Sequence, residues 1–261
     1  DHTAADGTFS IVVPGGIYDV HFIPPSGSVV CANDMQDVTV SANANLGTVV
    51  LHPGRLVSGT VQTPSLGPAA NVDLKFVNAA TAERVFLTKE VTNSSGQYSV
   101  RVPPGTWSVD YRPAATTSFT DAQRTNLVVA GADVSGLVNV LGSGFVISGT
   151  VRDKNNNKVK NVDIDVYDSC TGVRLATAHD NTDVNGNYAI CLPAGTYTIN
   201  YDPPFWKALE SVRSTAVTVD RDKNIGTEQL KSAVLVSGTV LNDLGAPLAD
   251  AKIKFYDVTA A

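Results

Sequence analysis

The amino-acid sequence predicts an all-β protein: a tandem array of antiparallel, seven-stranded β-sandwiches repeating about every ninety residues. Three observations carry this. Landmarks recur at a constant offset, apolar residues alternate with a period of two inside each landmark, and no segment sustains apolar residues at helical spacing. Composition agrees. With 17% charged and 43% hydrophobic residues the chain can bury cores, and its 21 glycines and 13 prolines suit short strands joined by tight turns.

The first element of each unit is Ser58-Gly59-Thr60-Val61, which recurs as Ser148-Gly149-Thr150-Val151 and Ser237-Gly238-Thr239-Val240. An alternating strand follows: Val72-Asp73-Leu74-Lys75-Phe76, Val162-Asp163-Ile164-Asp165-Val166 and Ala251-Lys252-Ile253-Lys254-Phe255. Next comes a glycine-opened strand, Gly96-Gln97-Tyr98-Ser99-Val100, matched by Gly186-Asn187-Tyr188-Ala189-Ile190 and by Gly7-Thr8-Phe9-Ser10-Ile11. A Pro-x-Gly turn closes each of these at Pro14, Pro103 and Pro193, and an aromatic strand containing Tyr18, Trp107 or Tyr197 runs back. Two alternating strands about a tight turn predict a hairpin with one buried face. A proline then ends the hairpin at Pro24, Pro113 or Pro203, and the last strand of each unit ends in Leu51, Leu141 or Leu230.

These offsets divide the chain into 1–53, the second half of a unit; 54–143 and 144–232, two complete units; and 233–261, the first half of another. A half-sandwich cannot bury its apolar face and leaves strand edges unpaired. The sequence thus implies either continuation at both ends, the simpler expectation for a repeat array, or completion of the halves between neighbouring molecules.

At these residues the chain resembles the carboxypeptidase regulatory-like domains of the transthyretin-like (prealbumin-like) group, and is similar to collagen-adhesin B-type repeats. The Ser-Gly-Thr-Val strand and the Gly-x-Tyr…Pro-x-Gly-Thr-Tyr pattern carry the resemblance over essentially the whole chain. It implies an immunoglobulin-like or prealbumin-like sandwich, used as stalk, adhesin spacer or ancillary module. Some collagen-adhesin repeats carry a Lys–Asn isopeptide crosslink; residues 56–62 and 146–152 contain no lysine, so none is assigned.

Chemistry-bearing patterns are sparse. His2, His21, His52 and His179 are scattered without metal-ligand spacing, and His21 is expected to face solvent from its strand. No nucleophile elbow or phosphate-cradling loop occurs, and Asp163 and Asp165 lie two apart on one strand, the pattern of a solvated face. No enzyme is expected. The net charge of −6 argues against nucleic acid as a partner, and no apolar run has the length of a membrane span. Asp180, Asp183, Asn185 and Asn187 have spacing that calcium could use, but turn formation explains them, and no cofactor is assigned.

Cys170 and Cys191 occur together in one unit and are absent from the one before, which marks them as a disulfide candidate and the location as oxidising. Cys31 is left without a partner. Phe205 and Trp206, after Pro203-Pro204, have no aromatic counterpart elsewhere; they are candidate ligand contacts, with packing at a joint as the plainer reading. The function expected is a non-enzymatic, extracellular or cell-surface stalk, spacer or filament subunit whose partners are copies of itself or neighbouring repeats. The alternative is an adhesin or carbohydrate-binding module for a glycan or host surface protein.

Overall fold

The computed structural model describes residues 2–254. Strand β1 (Gly16–Phe22) pairs with β2 (Asn33–Val40) in a two-stranded ribbon. There follow β3 (Arg55–Gln62), β4 (Asp73–Asn78), β5 (Gln97–Val102), β6 (Gly105–Arg112), β7 (Phe119–Thr120), β8 (Ala122–Val129), β9 (Val134–Val140) and β10 (Gly142–Ser143). The pattern then repeats with β11 (Phe145–Asp153), β12 (Asp163–Asp168), β13 (Asn187–Leu192), β14 (Gly195–Asp202), β15 (Val212–Arg213), β16 (Val217–Val219) and β17 (Lys223–Leu230). One turn of 3-10 helix, Phe205–Lys207, follows β14. Among the described residues no helix is long and apolar enough to cross a membrane.

The first sandwich packs the sheet β5-β3-β9 against β4-β6-β8, and the second packs β13-β11-β17 against β12-β14 with β15 and β16 sharing the edge. Six long strands therefore build the first sandwich rather than seven. The seventh survives as a broken edge beside β4, where Val85 N–H donates to Phe76 O at 3.0 Å and Leu74 N–H donates to Glu90 O at 2.6 Å. Val85 and Leu87 of this segment still point into the core.

The sheets are also not purely antiparallel. β3 pairs with β9, and β11 with β17, in parallel. A parallel pair carries the chain out of a sandwich at the end opposite to the one where it came in. With seven antiparallel neighbours in a simple meander the sequence pattern gives no sign of this, because side-chain alternation is identical in both pairings.

Alternation becomes packing in the cores. In β6, Trp107, Val109 and Tyr111 are buried while Ser108, Asp110 and Arg112 sit on the other face; β14 repeats this with Tyr197, Ile199 and Tyr201. Buried residues fall into one cluster between Val57 and Leu141 and another between Ile147 and Leu230. Each fully buried Val, Leu or Ile contributes about 1.5–3 kcal/mol.

A polar pair sits inside each core. Tyr98 and Tyr111 hydroxyls meet at 3.1 Å, and Tyr188 and Tyr201 at 3.0 Å. Each pair explains the glycine of the Ser-Gly-Thr-Val strand. A Cβ on Gly59 would meet the Tyr98 hydroxyl at 2.8 Å, and one on Gly149 would meet Tyr188 OH at 2.6 Å and Gly226 O at 2.9 Å. The aromatic residue after each Pro-x-Gly turn locks that turn: Tyr18 OH donates to Pro14 O (2.6 Å), Trp107 Nε1 to Pro103 O (3.0 Å) and Tyr197 OH to Pro193 O (3.1 Å). Buried Thr92 and Thr182 tie the loop before β5 or β13 to the core. Each hydroxyl donates to a carbonyl (Ala69, Val159) and accepts an N–H (Val72, Val162) at 2.7–3.0 Å.

Outside the two sandwiches, residues matching β5 (8–13) and β9 (45–50) belong to no strand. Phe9 and Phe22, the counterparts of Tyr98 and Tyr111, still meet edge to face at 6.0 Å. The third Ser-Gly-Thr-Val segment, 234–241, belongs to no strand, although Leu241 bridges Pro247 and Leu248 N–H donates to Val240 O at 2.9 Å, and Phe255 of the alternating segment after it lies outside the described residues.

Two measurements check this account. Gly59→Ala forces a methyl group into the backbone of β9 and is expected to cost about 1–3 kcal/mol in urea unfolding. Thr92→Val leaves a buried N–H unsatisfied and is expected to cost a further about 1–3 kcal/mol, while the unfolding of the second sandwich is unchanged.

Candidate functional site

The recurring feature outside the cores is the joint between one sandwich and the next. A loop ahead of each penultimate strand clamps the linker that leaves the unit, always by the same main-chain bonds. At the first joint Cys31 N–H donates to His52 O at 2.8 Å and Gly54 N–H to Val29 O at 2.9 Å. At the second, β7 pairs with β10 and Gly144 N–H donates to Ser118 O at 3.0 Å. At the third, Glu210 N–H donates to Lys231 O at 2.9 Å and Ala233 N–H to Ala208 O at 2.8 Å. Linkers held this way are short struts and not free tethers.

Side chains reinforce the strut. The linker glycine lets the units approach closely: a Cβ on Gly144 would meet Thr120 Cγ2, Cys191 Sγ and Leu192 O, each at 2.7 Å. At the first joint Gly54 lies against Cys31 Sγ and Arg101, and Arg101 Nη1 donates to Gly54 O at 2.9 Å. The start of the following strand is pinned from the far side of its own sheet. Asp133 Oδ1 accepts the Leu56 N–H at 2.9 Å, and Asp222 Oδ1 accepts that of Val146 at 2.8 Å. His21 is exposed, and its ring also lies 4.4 Å from that of Phe86, across the first joint. Cys31, His52, Phe86, Pro103 and Trp107 line the groove between.

At the second joint the Asp121 carboxyl is pushed up to about 6. Burial is the main cause, Asp110 and Asp180 add to it, and Arg112 and the Ala178 main chain oppose it. Ala178 and Asp180 belong to the second sandwich, so this carboxyl senses the contact.

The residues singled out in the sequence are placed as follows. Cys170 and Cys191 are free thiols and form no disulfide. Cys170 lies in the exposed turn after β12, whereas Cys191 is on β13, in the opposite sheet. Its neighbours Ile190 and Leu192 point into the core, so the thiol points outward into the joint. Burial raises Cys191, and likewise Cys31, to about 11, which keeps both protonated and unreactive.

The carboxylate of Asp183 is spent on its own turn, accepting the N–H groups of Asn185 (2.7 Å) and Asn187 (2.8 Å), and these bonds hold its pKa below the ordinary value. Lys158 Nζ donates to Asn185 Oδ1 at 2.7 Å, and Asp180 accepts from the Thr177 hydroxyl at 2.8 Å. The neutral amide of Asn93 makes the same turn with Ser95 and Gln97, as does Asn242 with Leu244 and Ala246. A motif that works equally with an amide needs no cation, and among the described residues no three His, Cys, Asp or Glu side chains converge on a metal-sized space. Phe205 and Trp206 are 73% and 62% exposed, edge to face at 5.1 Å.

The sequence reading missed the clamps, the linker glycines and the paired aspartates Asp133 and Asp222. Gly54 and Gly144 do stand at an offset of 90, and Asp133 and Asp222 at 89, so a residue-by-residue comparison of the units carries that signal.

No family model and no curated protein matches the chain. Solved structures do. The shaft pilin SpaA from Lactobacillus rhamnosus GG is 11% identical, covering 70% of this chain and 100% of its own, with a TM-score of 0.32. A Streptococcal ancillary pilin is 12% identical over 84% of this chain and 76% of its own, at 0.31. The Bacillus anthracis TIE protein is 15% identical over 76% of this chain, which spans 41% of that protein's length, at 0.29.

A pH titration tests the second joint. Unfolded, the Asp121 carboxyl ionises near 4; folded, it keeps its proton to about 6. The folded state binds the proton more tightly, so stability is expected to fall as pH rises from about 4 to about 6 and to level off beyond. Asp121→Asn should flatten that part of the stability–pH curve. Gly144→Val should loosen the contact between the sandwiches without unfolding either, read as a wider spread of inter-sandwich distances by spin labels.

Proposed function

We propose that this chain is a length of a non-enzymatic, extracellular or cell-surface rod, a stalk, spacer or filament segment, built from units 1–53, 54–143, 144–232 and 233–261. The carrying observation is the parallel pairing of first and last strands, β3 with β9 and β11 with β17, combined with a clamp on every outgoing linker. Parallel pairing supports passing the chain, and any load on it, from one end of a unit to the other. The clamp supports a fixed angle at each joint. The resemblance to carboxypeptidase regulatory-like repeats, which covers essentially the whole chain, supports this use. Its natural contacts are then neighbouring repeats or copies of itself, and head-to-tail completion of the terminal half-units is the sharper form of the reading.

Hydrogen exchange tests it directly. The amides of Gly54, Gly144 and Ala233 should exchange far more slowly than in an unstructured linker, and small-angle scattering should give a rod of fixed spacing. Free-peptide exchange at these amides with a broad spread of end-to-end distances would overturn it.

A second reading, an adhesin or carbohydrate-binding module, is favoured by one observation, the exposed Phe205–Trp206 pair. It predicts that Trp206→Ala abolishes retention of the folded chain on a glycan array. Absence of any retained glycan by the unaltered chain would remove it.

A further inference from the structure

We propose that each complete sandwich is a tension-bearing element that takes a pull along the chain in shear, across the parallel ladder between its first and last strands, and that side chains stiffen this ladder differently in the two units. The inference rests on the rod reading above, which supplies the load, and adds how a unit withstands it. Strands β3 and β9 run side by side in the same direction. Tension therefore draws Arg55 out of one end of the unit and Val140 out of the other, and the two strands can separate only by sliding past one another. The bonds of a parallel ladder are evenly spaced along it, so all of them are strained at once. First and last strands paired antiparallel would be pulled from one end and would open bond by bond. β11 and β17 repeat the arrangement between Phe145 and Leu230.

Both ends of the ladder are held. At the entry end a carboxylate just ahead of the last strand accepts an N–H at the start of the first: Asp133 Oδ1 from Leu56 at 2.9 Å, and Asp222 Oδ1 from Val146 at 2.8 Å. At the exit end Leu141 N–H donates to Gln62 O at 2.9 Å, and Asp153 stands beside Leu230. Between them Val57 and Val61, or Ile147 and Val151, are fully buried. Sliding thus drags apolar side chains out of close-packed sites while the main-chain bonds break.

The side chains across the ladder differ. In the second sandwich the Thr150 and Thr227 hydroxyls meet at 2.7 Å, and Gln229 Nε2 donates to Asp153 O at 3.2 Å. Val138 and Val140 hold the matching places in the first, beside Thr60 and Gln62, and their side chains carry no hydrogen-bonding group. There the last strand is gripped from the facing sheet instead: Arg124 of β8 donates from Nη2 to Val138 O and from Nε to Asn139 Oδ1, each at 2.9 Å. The Thr150–Thr227 bond is exposed, so at equilibrium it competes with water and adds little. Forced unfolding is governed by the barrier, and a bond that must break in the first step of sliding raises it.

The test is single-molecule pulling on the 261-residue polypeptide, with Cys31, Cys170 and Cys191 replaced by alanine and two thiol handles placed on the second sandwich. Handles at Ser143→Cys and Lys231→Cys load the β11–β17 ladder from opposite ends. Handles at Asn155→Cys and Lys231→Cys load the same ladder from one end. Ser143, Asn155 and Lys231 are all exposed, so the handles leave the core intact. The unit should open at a rupture force severalfold higher in the first geometry than in the second, lengthening the chain by about 250 Å. Thr227→Val should lower the force in the first geometry, with the urea midpoint of the second sandwich nearly unchanged. Equal forces in the two geometries overturn the proposal, and so does a force in the first geometry that Thr227→Val leaves unaltered. Slow exchange at Gly144 in a chain whose two forces are equal would show that the rod reading stands where this one fails.

Discussion

The parallel pairing of the first and last strand in each sandwich is the constraint on which the rest of the molecule depends. An antiparallel last strand would return the chain to the end where it came in, and successive units would fold back beside one another. With β3 beside β9 and β11 beside β17, the chain leaves each unit at its far end and begins the next there. The central strand must then accept neighbours on both sides while the tyrosine pair of the core passes over it. That close approach is why glycine stands at positions 59 and 149.

The joints follow from the same geometry. A linker emerging at the far end meets the loop that precedes the penultimate strand, and main-chain hydrogen bonds join the two at all three places where they meet. Because these bonds use backbone atoms, the clamping residues differ freely: Val29 and Cys31, Ser118 and Thr120, Ala208 and Glu210. Side chains then give each joint a separate character. The first holds a thiol against an arginine; the second sets the Asp121 carboxyl of one unit near the Cys191 thiol of the next. Geometry is thus common to the array, and strength and pH response belong to each joint.

Much of the fold was legible in sequence because its cause is local. A period of two in Tyr98, Val100 and Val102 is the pleat itself, and the Pro-x-Gly turn is fixed by residues that touch one another. The Asp183 loop is local in the same way, its carboxylate accepting N–H groups two and four residues on. The disulfide candidate fails where locality ends. That Cys170 and Cys191 share a unit says nothing about which sheet holds each, and the pleat turns Cys191 away from the core.

By itself, then, the sequence determined the strand content, the ninety-residue period and the hairpins. These follow from side-chain alternation and turn chemistry, which act over a few residues. Tertiary structure alone decided the parallel pair, the broken seventh strand, the clamps, and the meeting of Asp121 with Asp180 and of His21 with Phe86. The physical reason is that strand direction and linker geometry are set by main-chain hydrogen bonds between distant residues. Every residue but proline offers the same donor and acceptor, and so such bonds leave no mark on which amino acids are chosen.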